Sequence, residues 1–325
     1  MLATIVRRLL IAIPQLFLIT LVTFWLAWIM PGDIVSQRML MEDEQMLSWQ
    51  EVVHMREQFG LDDPWYQQYG RWMGNILRGD FGVSFQHHRS VVQLVRERMG
   101  NTFRLSFASM TLGFAIAIPM GILAGRYYRK AADKGILLYG FVGMALPSVV
   151  LAILLVWLFA FQLQWLPFRG SIDPLVVGTG AFAEVMSRLR HLVLPTLAIA
   201  VGGGIGTIYL LRAQIVEGRG SDYAMTAKAN GIPEKVIFRK HILRNSLMPF
   251  APTFGFIFAS LLGGAVLIER VFSINGMGDL FLTSITQRDT NVASGLILFY
   301  SFISILAVLI GDITITIVDP RIRIK

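Results

Sequence analysis

The sequence predicts an all-α membrane protein with six transmembrane helices and a small extracytoplasmic cap between the first two of them. Hydrophobic residues make up 54% of the 325 residues and charged residues only 15%, a balance outside the range of soluble domains. A helix needs about 20 mostly apolar residues to cross the hydrocarbon core of a lipid bilayer, and six runs reach that length. They are Leu9–Met30, Phe103–Gly125, Gly135–Phe161, Leu192–Leu211, Met248–Ile268 and Val292–Val318.

The first apolar run resembles a secretory signal because Arg7 and Arg8 precede it. It is longer than the hydrophobic region of a usual signal peptide, and no small-residue cleavage motif follows it. We therefore interpret residues 1–30 as a short N-terminus and a retained first transmembrane helix.

Lys and Arg residues predict the orientation. Sixteen of them lie on one predicted face, before the first run, in the 126–134 and 212–244 segments and in the 319–325 tail. The short loops on the other face carry five, and basic residues in short loops mark the cytoplasmic side. Both termini are therefore predicted to be cytoplasmic. The same juxtamembrane positions account for the net charge of +8, and no nucleic-acid-binding motif occurs.

Two absences from the sequence limit the chemistry of the chain. It has no cysteine, which removes disulfides, thiolate metal sites and cysteine nucleophiles. It also has no Gly-Lys-Ser or Gly-Lys-Thr, so it lacks a phosphate-binding P-loop. The glycine cluster Gly202–Gly206 lies within an apolar run. We interpret Gly202–Gly206 and Gly121–Gly125 as two separate helix-packing faces.

Residues 31–101 are predicted to form the extracytoplasmic cap. Ser48–Phe59 has an amphipathic pattern that Gly60 ends, and Asp63-Pro64 begins a second helix. That helix carries the aromatic residues Trp65, Tyr66, Tyr69 and Trp72. We interpret these aromatics as packing the cap onto the membrane surface, with contact to a binding partner as the alternative. The adjacent His87 and His88 are not expected to bind a metal.

The cytoplasmic segment 212–247 contains the most informative pattern. Asp222–Asn230 is predicted to form a short helix of small residues, Gly231 to end it, and Pro233-Glu234 to begin another helix towards the fifth run. A helix covered by Ala and Thr lets another protein approach closely. We call residues 222–231 the docking segment.

The docking segment and its surroundings carry a family resemblance. Asp222-Tyr223, Thr226-Ala227-Lys228-Ala229-Asn230-Gly231, His241, Leu243, Arg244, Asn245 and Pro249 resemble the EAA loop of ABC importer permeases, in the oligopeptide and dipeptide branch. Further matching blocks are Pro31-Gly32-Asp33, Gly79-Asp80-Phe81-Gly82, Arg98–Thr102, His191–Pro195, Glu269, Phe272, Asn275–Gly278 and Asp319–Arg323. The order of the blocks extends the resemblance over nearly the whole chain.

The match has two departures. Met225 and Thr226 stand where the general EAA pattern has Glu and Ala, and Ile232-Pro233 replaces the usual capping Ser. Pro at the start of a helix preserves the start signal. We therefore expect the second helix of the loop to form.

The resemblance implies the type I ABC importer permease fold, with a five-helix transmembrane core at 102–318, in the bacterial cytoplasmic membrane. It implies a paralogous second permease, two ATPase subunits, an extracytoplasmic substrate-binding protein and a peptide substrate. The chain itself would be non-catalytic and would bind no cofactor, with ATP and Mg²⁺ held by the ATPases. Alternating access would follow when ATP closes the ATPase pair and moves the docking segment.

The resemblance also assigns roles to particular residues. The residues to which it assigns ATPase coupling are Asp222, Tyr223, Thr226, Ala227, Ala229, Gly231, Lys240 and His241. The residues to which it assigns a role in an outer gate or loop are Glu269, Phe272, Gly276 and Gly278. We favour a loop-fixing role for Glu269 over contact with a substrate amine, and ion pairing of Asp312 with Arg321 or Arg323.

Three alternatives remain at this stage. Permeases for nickel, glutathione or another small solute share the same branch. A secondary transporter would show paired polar residues at mid-membrane depth and internal repeats, and neither is clear. An intramembrane enzyme would need a nucleophile with its base, or a metal cluster, inside the bundle. The five histidines are predicted to lie outside the bundle centre.

Overall fold

The computed structural model describes residues 2–29, 53–54, 57, 60–250, 260, 263 and 265–318. Three predicted features lie outside these residues. Most of the helix at 48–59 and most of the fifth span at 248–268 are outside them, and so is the whole 319–325 tail. The expected partners of Asp312 belong to that tail.

The described residues form helices joined by loops, with one isolated antiparallel bridge between Val83 and Ser90. In chain order the helices are α1 (Leu2–Ile29), α2 (Trp65–Leu77), α3 (Val91–Arg126), α4 (Ala131–Ala145), α5 (Ser148–Leu155, continued by the π-helix Val156–Gln162), α6 (Ala181–Gly203), α7 (Ile205–Arg219), α8 (Asp222–Ala229), α9 (Glu234–Val236, Ile237–Ile242 and Leu243–Leu247), α10 (Val266–Val271), α11 (Met277–Thr286) and α12 (Thr290–Val318).

Four helical stretches in the described part of the chain are long and apolar enough to cross a membrane: Val6–Ile29, Val91–Arg126, Ala181–Arg219 and Thr290–Thr314. A bent pair formed by α4 and α5 makes a fifth if it counts as one span. The all-helical class with four to five apolar spans is therefore confirmed.

The second span begins earlier than predicted. The apolar run starts at Phe103, whereas α3 starts at Val91 and has 36 residues. At 1.5 Å per residue this helix is about 54 Å long, more than the hydrocarbon core requires. The helix extends before Phe103 because Val91 and Leu94 are buried in its first turns. No proline interrupts it before Pro119. The predicted cap boundary at 101 consequently falls inside a helix.

The third span is not straight. The sequence run Gly135–Phe161 reads as one helix, but α4 and α5 meet at an angle of 93°. Leu146 has an extended backbone at the junction, with φ −93° and ψ 112°. Pro147 explains the bend because it disfavours the helical conformation in the residue before it.

The fourth span extends well beyond Leu192–Leu211 and is interrupted at Gly204, between α6 and α7. A Cβ atom at Gly204 would lie 2.9 Å from Ala117 Cβ and from the Gly113 carbonyl oxygen. The predicted contact face at Gly202–Gly206 is therefore centred on Gly204, where α3 crosses closely.

The second predicted small-residue face is confirmed. A Cβ atom at Gly121 would lie 3.0 Å from Leu211 Cβ, and one at Gly125 would lie 2.7 Å from Ile215 Cβ. The two glycines let α3 pack directly against α7. This packing fixes the helix that leads into the docking segment.

The chain divides into two compact units. The first comprises residues 1–98 and 280–306. In it, Tyr69 of α2 bonds the Thr20 hydroxyl of α1 at 2.9 Å, and Phe24 packs against both Tyr69 and Trp72. These two aromatic residues of α2 therefore pack on α1, while Trp65 and Tyr66 are exposed. Gly60 has the predicted left-handed φ of +60°.

The second unit comprises residues 99–279 and 307–325. One buried cluster joins α3, α5 and α6 to the α10 region and includes Leu105, Leu194 and Phe272. A separate cluster joins α7 and α9 to the docking segment and includes Ile215 and Ile237. Each cluster holds one of the two predicted sites.

Candidate functional site

The docking segment begins with a well-defined helix start. Ser221 takes the N-cap position with φ −75° and ψ 153°, and its hydroxyl donates to the Gly218 carbonyl at 2.7 Å. Asp222 lies in the first turn and Lys228 in the last. This charge order suits the helix dipole and adds to the stability of this short helix.

The helix ends in a Schellman motif. The Gly231 amide donates to the Lys228 carbonyl at 3.0 Å, and the Ile232 amide donates to the Ala227 carbonyl at 3.1 Å. Gly231 has φ +74°, which confirms the predicted left-handed backbone and explains the need for glycine. Ile232 packs against the cluster that contains Ala227, as the motif commonly shows.

Ala227 does not lie on the outward face, contrary to the sequence-based expectation. Ala224 and Ala227 pack against Ile237 and Ile242 of α9, and Ala227 is only 8% exposed. Positions three apart lie on one side of a helix, and here that side anchors the helix to its own chain. The exposed residues of α8 are Asp222, Tyr223, Met225, Thr226, Lys228 and Ala229. Lys240 is exposed, and His241 is half-buried.

A π-helical turn in α9 was not predicted. Residues Ile237–Ile242 are π-helical, and the Leu243 amide donates to the Phe238 carbonyl five residues earlier. This wider turn directs Ile237 and Ile242 into the same buried cluster. Such turns inside α-helices are frequent at functional sites, and nothing in the local composition signals this one.

Arg219 connects three helix ends beside the docking segment. Its guanidinium donates to the Arg126 carbonyl at the end of α3 at 2.9 Å and to Glu234 at the start of α9 at 3.3 Å. The Arg126 guanidinium in turn lies 5.6 Å from the Phe238 ring centroid. Basic side chains satisfy the free carbonyls of a helix C-terminus, so Arg219 holds α3, α7 and α9 together.

A buried ion pair ties the middle of α7 to the start of α4. Arg212 Nε lies 2.6 Å from Asp133 Oδ1, and Arg212 Nη2 lies 2.9 Å from Asp133 Oδ2. Asp133 is 2% exposed, and Arg212 is 21% exposed. The Arg129 amide also donates to Asp133 at 2.8 Å, and the Arg212 guanidinium covers the Tyr128 ring. Sequence analysis missed this pair, although Asp133 is the only acidic residue between 126 and 134.

We expect Asp133→Ala to destabilise the chain strongly. Removing one partner of a buried pair costs about 3–5 kcal/mol, and the partial exposure of Arg212 favours the lower end. The measurement is the thermal unfolding midpoint in detergent, with Lys130→Ala in the same loop as the exposed control. The double change Asp133→Leu with Arg212→Met should recover much of the loss, since it leaves no buried charge. Equal midpoints for Asp133→Ala and Lys130→Ala would contradict the assigned role.

The second predicted site is built around Glu269, which is 0% exposed on α10. Its Oε1 accepts from the Thr102 hydroxyl at 2.7 Å, and its Oε2 accepts from the Asp279 amide at 2.9 Å. The Thr102 oxygen accepts in turn from the Met277 amide at 2.7 Å. The carboxylate therefore connects α3, α10 and α11. We call residues 269–278 the 269–278 loop.

The two glycines of the loop are required by close contacts. A side chain at Gly276 would overlap the Glu269 carboxylate, and a Cβ atom at Gly278 would lie 2.9 Å from Val266 Cα. Phe272 is buried, and its carbonyl accepts from the Gly170 amide at 2.8 Å. The four predicted residues of this site therefore lie together in one packed region.

Burial raises the pKa of Glu269, and the hydrogen bonds from Thr102 and from the Asp279 and Gly278 amides oppose that rise. All these partners donate, which suits a carboxylate that only accepts. A fully covered carboxylate has no surface to offer a substrate amine in this conformation. The geometry therefore favours the loop-fixing interpretation of Glu269.

The fold and these two sites define a multi-pass helical membrane protein with a short helix presented at its surface. Comparison with protein families identifies the family of the chain. The chain belongs to the family described as binding-protein-dependent transport system inner membrane component, whose model matches residues 117–324. The model of the corresponding N-terminal region matches residues 1–106.

Several curated proteins are similar along their full length. The oligopeptide transport system permease protein AppB of Bacillus subtilis is 34% identical over 99% of this chain and 100% of its own length. The dipeptide transport system permease protein DppB of Lactococcus lactis is 31% identical, over 98% and 99% respectively. The glutathione transport system permease protein GsiC of Escherichia coli is also 31% identical, over the full length of both chains.

Proposed function

We propose that this chain is the permease subunit of an ATP-driven importer for peptides and forms half of the translocation path. Its family membership and the two full-length relatives named for peptide transport support the substrate class. The docking segment is the observation that carries the coupling role. It presents a short, polar and small-residue surface on a rigid base.

The proposed complex contains a paralogous second permease, two ATPase subunits and an extracytoplasmic binding protein, in a bacterial cytoplasmic membrane. The ATPases bind ATP and Mg²⁺, and this chain has no catalytic role. We retain six transmembrane helices, with a cap between the first two, as part of this proposal. The fifth helix would occupy the region of Met248–Ile268.

The proposed mechanism is alternating access driven by the ATPases. Closure of the ATPase pair moves the docking segment, and a rigid connection must carry that motion into the spanning helices. Arg219 and the Asp133–Arg212 pair supply such connections, because Arg219 fixes the C-terminal end of α7 to the end of α3 and Arg212 fixes the middle of α7 to the start of α4. The 269–278 loop would stabilise the outer part of the same bundle.

A second substrate candidate is glutathione, because one full-length relative is named for its transport. The two candidates differ in substrate and share the mechanism. Uptake assays with a dipeptide series and with glutathione separate them.

The test of the proposal is purification of the chain from its native membrane in mild detergent, followed by reconstitution. We expect two ATPase subunits and a related permease to co-purify, and ATP-dependent peptide uptake into proteoliposomes when the binding protein is added. A chain that purifies alone and transports without ATP would overturn the proposal and favour a secondary transporter.

The orientation gives a separate prediction. A tag after Lys325 should be accessible only from the cytoplasm, since sixteen basic residues lie on that predicted face and five on the short loops opposite. A cysteine at Glu44 should react with a membrane-impermeant maleimide in intact cells, and the absence of native cysteines leaves no background from this chain. Labelling only after the membrane is broken would show that the predicted orientation is wrong.

A further inference from the structure

Residues 126–134 join the end of α3 to the start of α4 and carry a concentrated positive charge. Asp133 is the only acidic residue among them, and Arg212 occupies its carboxylate. The four basic residues are all exposed, and they are Arg126, Arg129, Lys130 and Lys134. Within the described part of the chain, none of these four side chains forms an ion pair. We call residues 126–134 the basic loop.

Tyr127 brings two cations of the basic loop close to each other. The Arg126 guanidinium lies 5.6 Å from the Tyr127 ring centroid, and the Lys130 ammonium lies 5.8 Å from it. The ring attracts each cation, but the two like charges repel each other. The Glu234 carboxylate at the start of α9 does not relieve this repulsion, because it bonds Arg219 instead. An anion bound at the basic loop would therefore be stabilised by both cations.

The backbone of the basic loop is held by its own hydrogen bonds. Arg129 has a left-handed φ of +62°, a conformation that persists in non-glycine residues where the surroundings fix it. The Arg129 amide donates to the Asp133 carboxylate at 2.8 Å, and the Lys130 amide donates to the Tyr127 carbonyl at 2.9 Å. The Arg129 guanidinium lies 5.1 Å from the Tyr128 ring centroid. The charges of the loop are therefore carried on a fixed turn.

We propose that the basic loop binds the phosphate headgroup of an anionic phospholipid. The apolar part of α3 ends at Gly125, so the loop follows the span directly and meets the membrane surface. Arginine matches phosphate oxygens with a planar fork of donors, and lysine adds a point charge. Tyrosine is typical of the membrane interface, and both Tyr127 and Tyr128 are exposed. Basic residues beside a span are attracted to anionic lipids.

The bound lipid would stabilise the base of the docking segment. The Arg126 carbonyl accepts from Arg219 at 2.9 Å, and the Arg126 guanidinium lies 5.6 Å from the Phe238 ring centroid. The basic loop therefore touches the junction of α3, α7 and α9. This inference goes beyond the proposed function, since it requires a membrane and holds for any transported solute.

A photo-crosslinker at Ala132 tests which molecule the basic loop binds. Ala132 is an exposed residue of the loop, so Ala132→benzoylphenylalanine places the reactive group beside the proposed headgroup. The full complex is reconstituted into phosphatidylcholine vesicles that contain a minor share of phosphatidylglycerol. After illumination, the crosslinked lipid should contain phosphatidylglycerol at about three times its share in the vesicles or more.

Two double variants with the same change in charge complete the test. Arg129→Gln with Lys130→Gln removes two charges from the basic loop, and Lys235→Gln with Arg239→Gln removes two exposed charges from α9. The first pair should lower the phosphatidylglycerol content of the crosslink to its share in the vesicles, because each basic residue near an anionic surface strengthens binding about fivefold. The second pair should leave the enrichment unchanged, and so should an excess of inorganic phosphate.

Three results would overturn the proposed lipid site. They are equal enrichment in both double variants, a crosslink that goes chiefly to an ATPase subunit, and loss of the enrichment when inorganic phosphate is added. The last result would assign the basic loop to a soluble anion. The crosslinking needs neither ATP nor peptide, so a complex that imports no peptide would overturn the proposed function and leave the lipid result standing.

Discussion

Gly231→Val is expected to release the ATPase subunits from the purified complex and to abolish ATP-dependent uptake, while the chain still reaches the membrane. Gly231 closes the Schellman motif with φ +74°, and a β-branched residue adopts that conformation at a cost of about 1–3 kcal/mol. Relief of this strain would break the bonds from Gly231 and Ile232 to the helix. The docking segment would then lose its orientation, whereas the apolar spans would still insert.

The control for this change is Gly178→Val. Gly178 has φ +84°, and a Cβ atom at Gly178 or at Gly231 meets no atom of the described residues within 4 Å. The two substitutions therefore impose the same backbone strain at different sites. Loss of ATPase from both variants would indicate general misfolding. Retention of ATPase and of full uptake in Gly231→Val would remove the main residue-level support for the coupling role.

A large side chain on the outward face of α8 tests docking without imposing backbone strain. Thr226 is exposed on α8, so Thr226→Trp should block the close approach of a partner while the helix persists. Ala227→Trp is a different experiment, because Ala227 packs against the chain's own cluster and a larger side chain there disturbs the fold.

Glu269→Ala is expected to have the second large effect. It removes the acceptor for the Thr102 hydroxyl and the Asp279 amide, and each buried donor left without an acceptor costs about 1–3 kcal/mol. The lost side-chain volume adds a cavity term. We expect a clear fall in the thermal unfolding midpoint in detergent and reduced uptake.

Glu269→Gln separates shape from charge. The amide keeps the volume, its oxygen can accept from the Asp279 side, and its nitrogen can donate to the Thr102 oxygen. The variant should therefore lose clearly less stability than Glu269→Ala. If glutamine preserved stability but abolished uptake, the charge would act in transport, and the loop-fixing interpretation would be wrong.

Local signals in the sequence were sufficient to predict where the helix of the docking segment ends and where the next helix begins. Gly231 and Pro233 mark one helix end and the next start, and both lie within a few residues of what they determine. The bend between α4 and α5 also had a local signal, Pro147, but the length of the apolar run concealed it. Apolar length predicts a span and does not measure its straightness.

Other features depend on contacts between distant residues and could not be predicted locally. Asp133 and Arg212 are 79 residues apart, and Thr102 and Glu269 are 167 apart. The inward direction of Ala227 follows from where α9 packs, because a helix of small residues shows no clear apolar side of its own. The family resemblance singled out Glu269 and Ala227, whereas the Asp133–Arg212 pair and the direction in which each of these residues faces follow from packing.

The Schellman motif of the docking segment has a consequence for partner choice. Its closing bonds join backbone groups alone, and its anchor consists of Ala224 and Ala227 on the inner side. The outer residues Met225, Thr226 and Lys228 can therefore change without loss of the shape they stand on. A cell with several related importers could keep their ATPases apart through these few positions, and exchanging them between permeases offers a way to reassign a motor subunit.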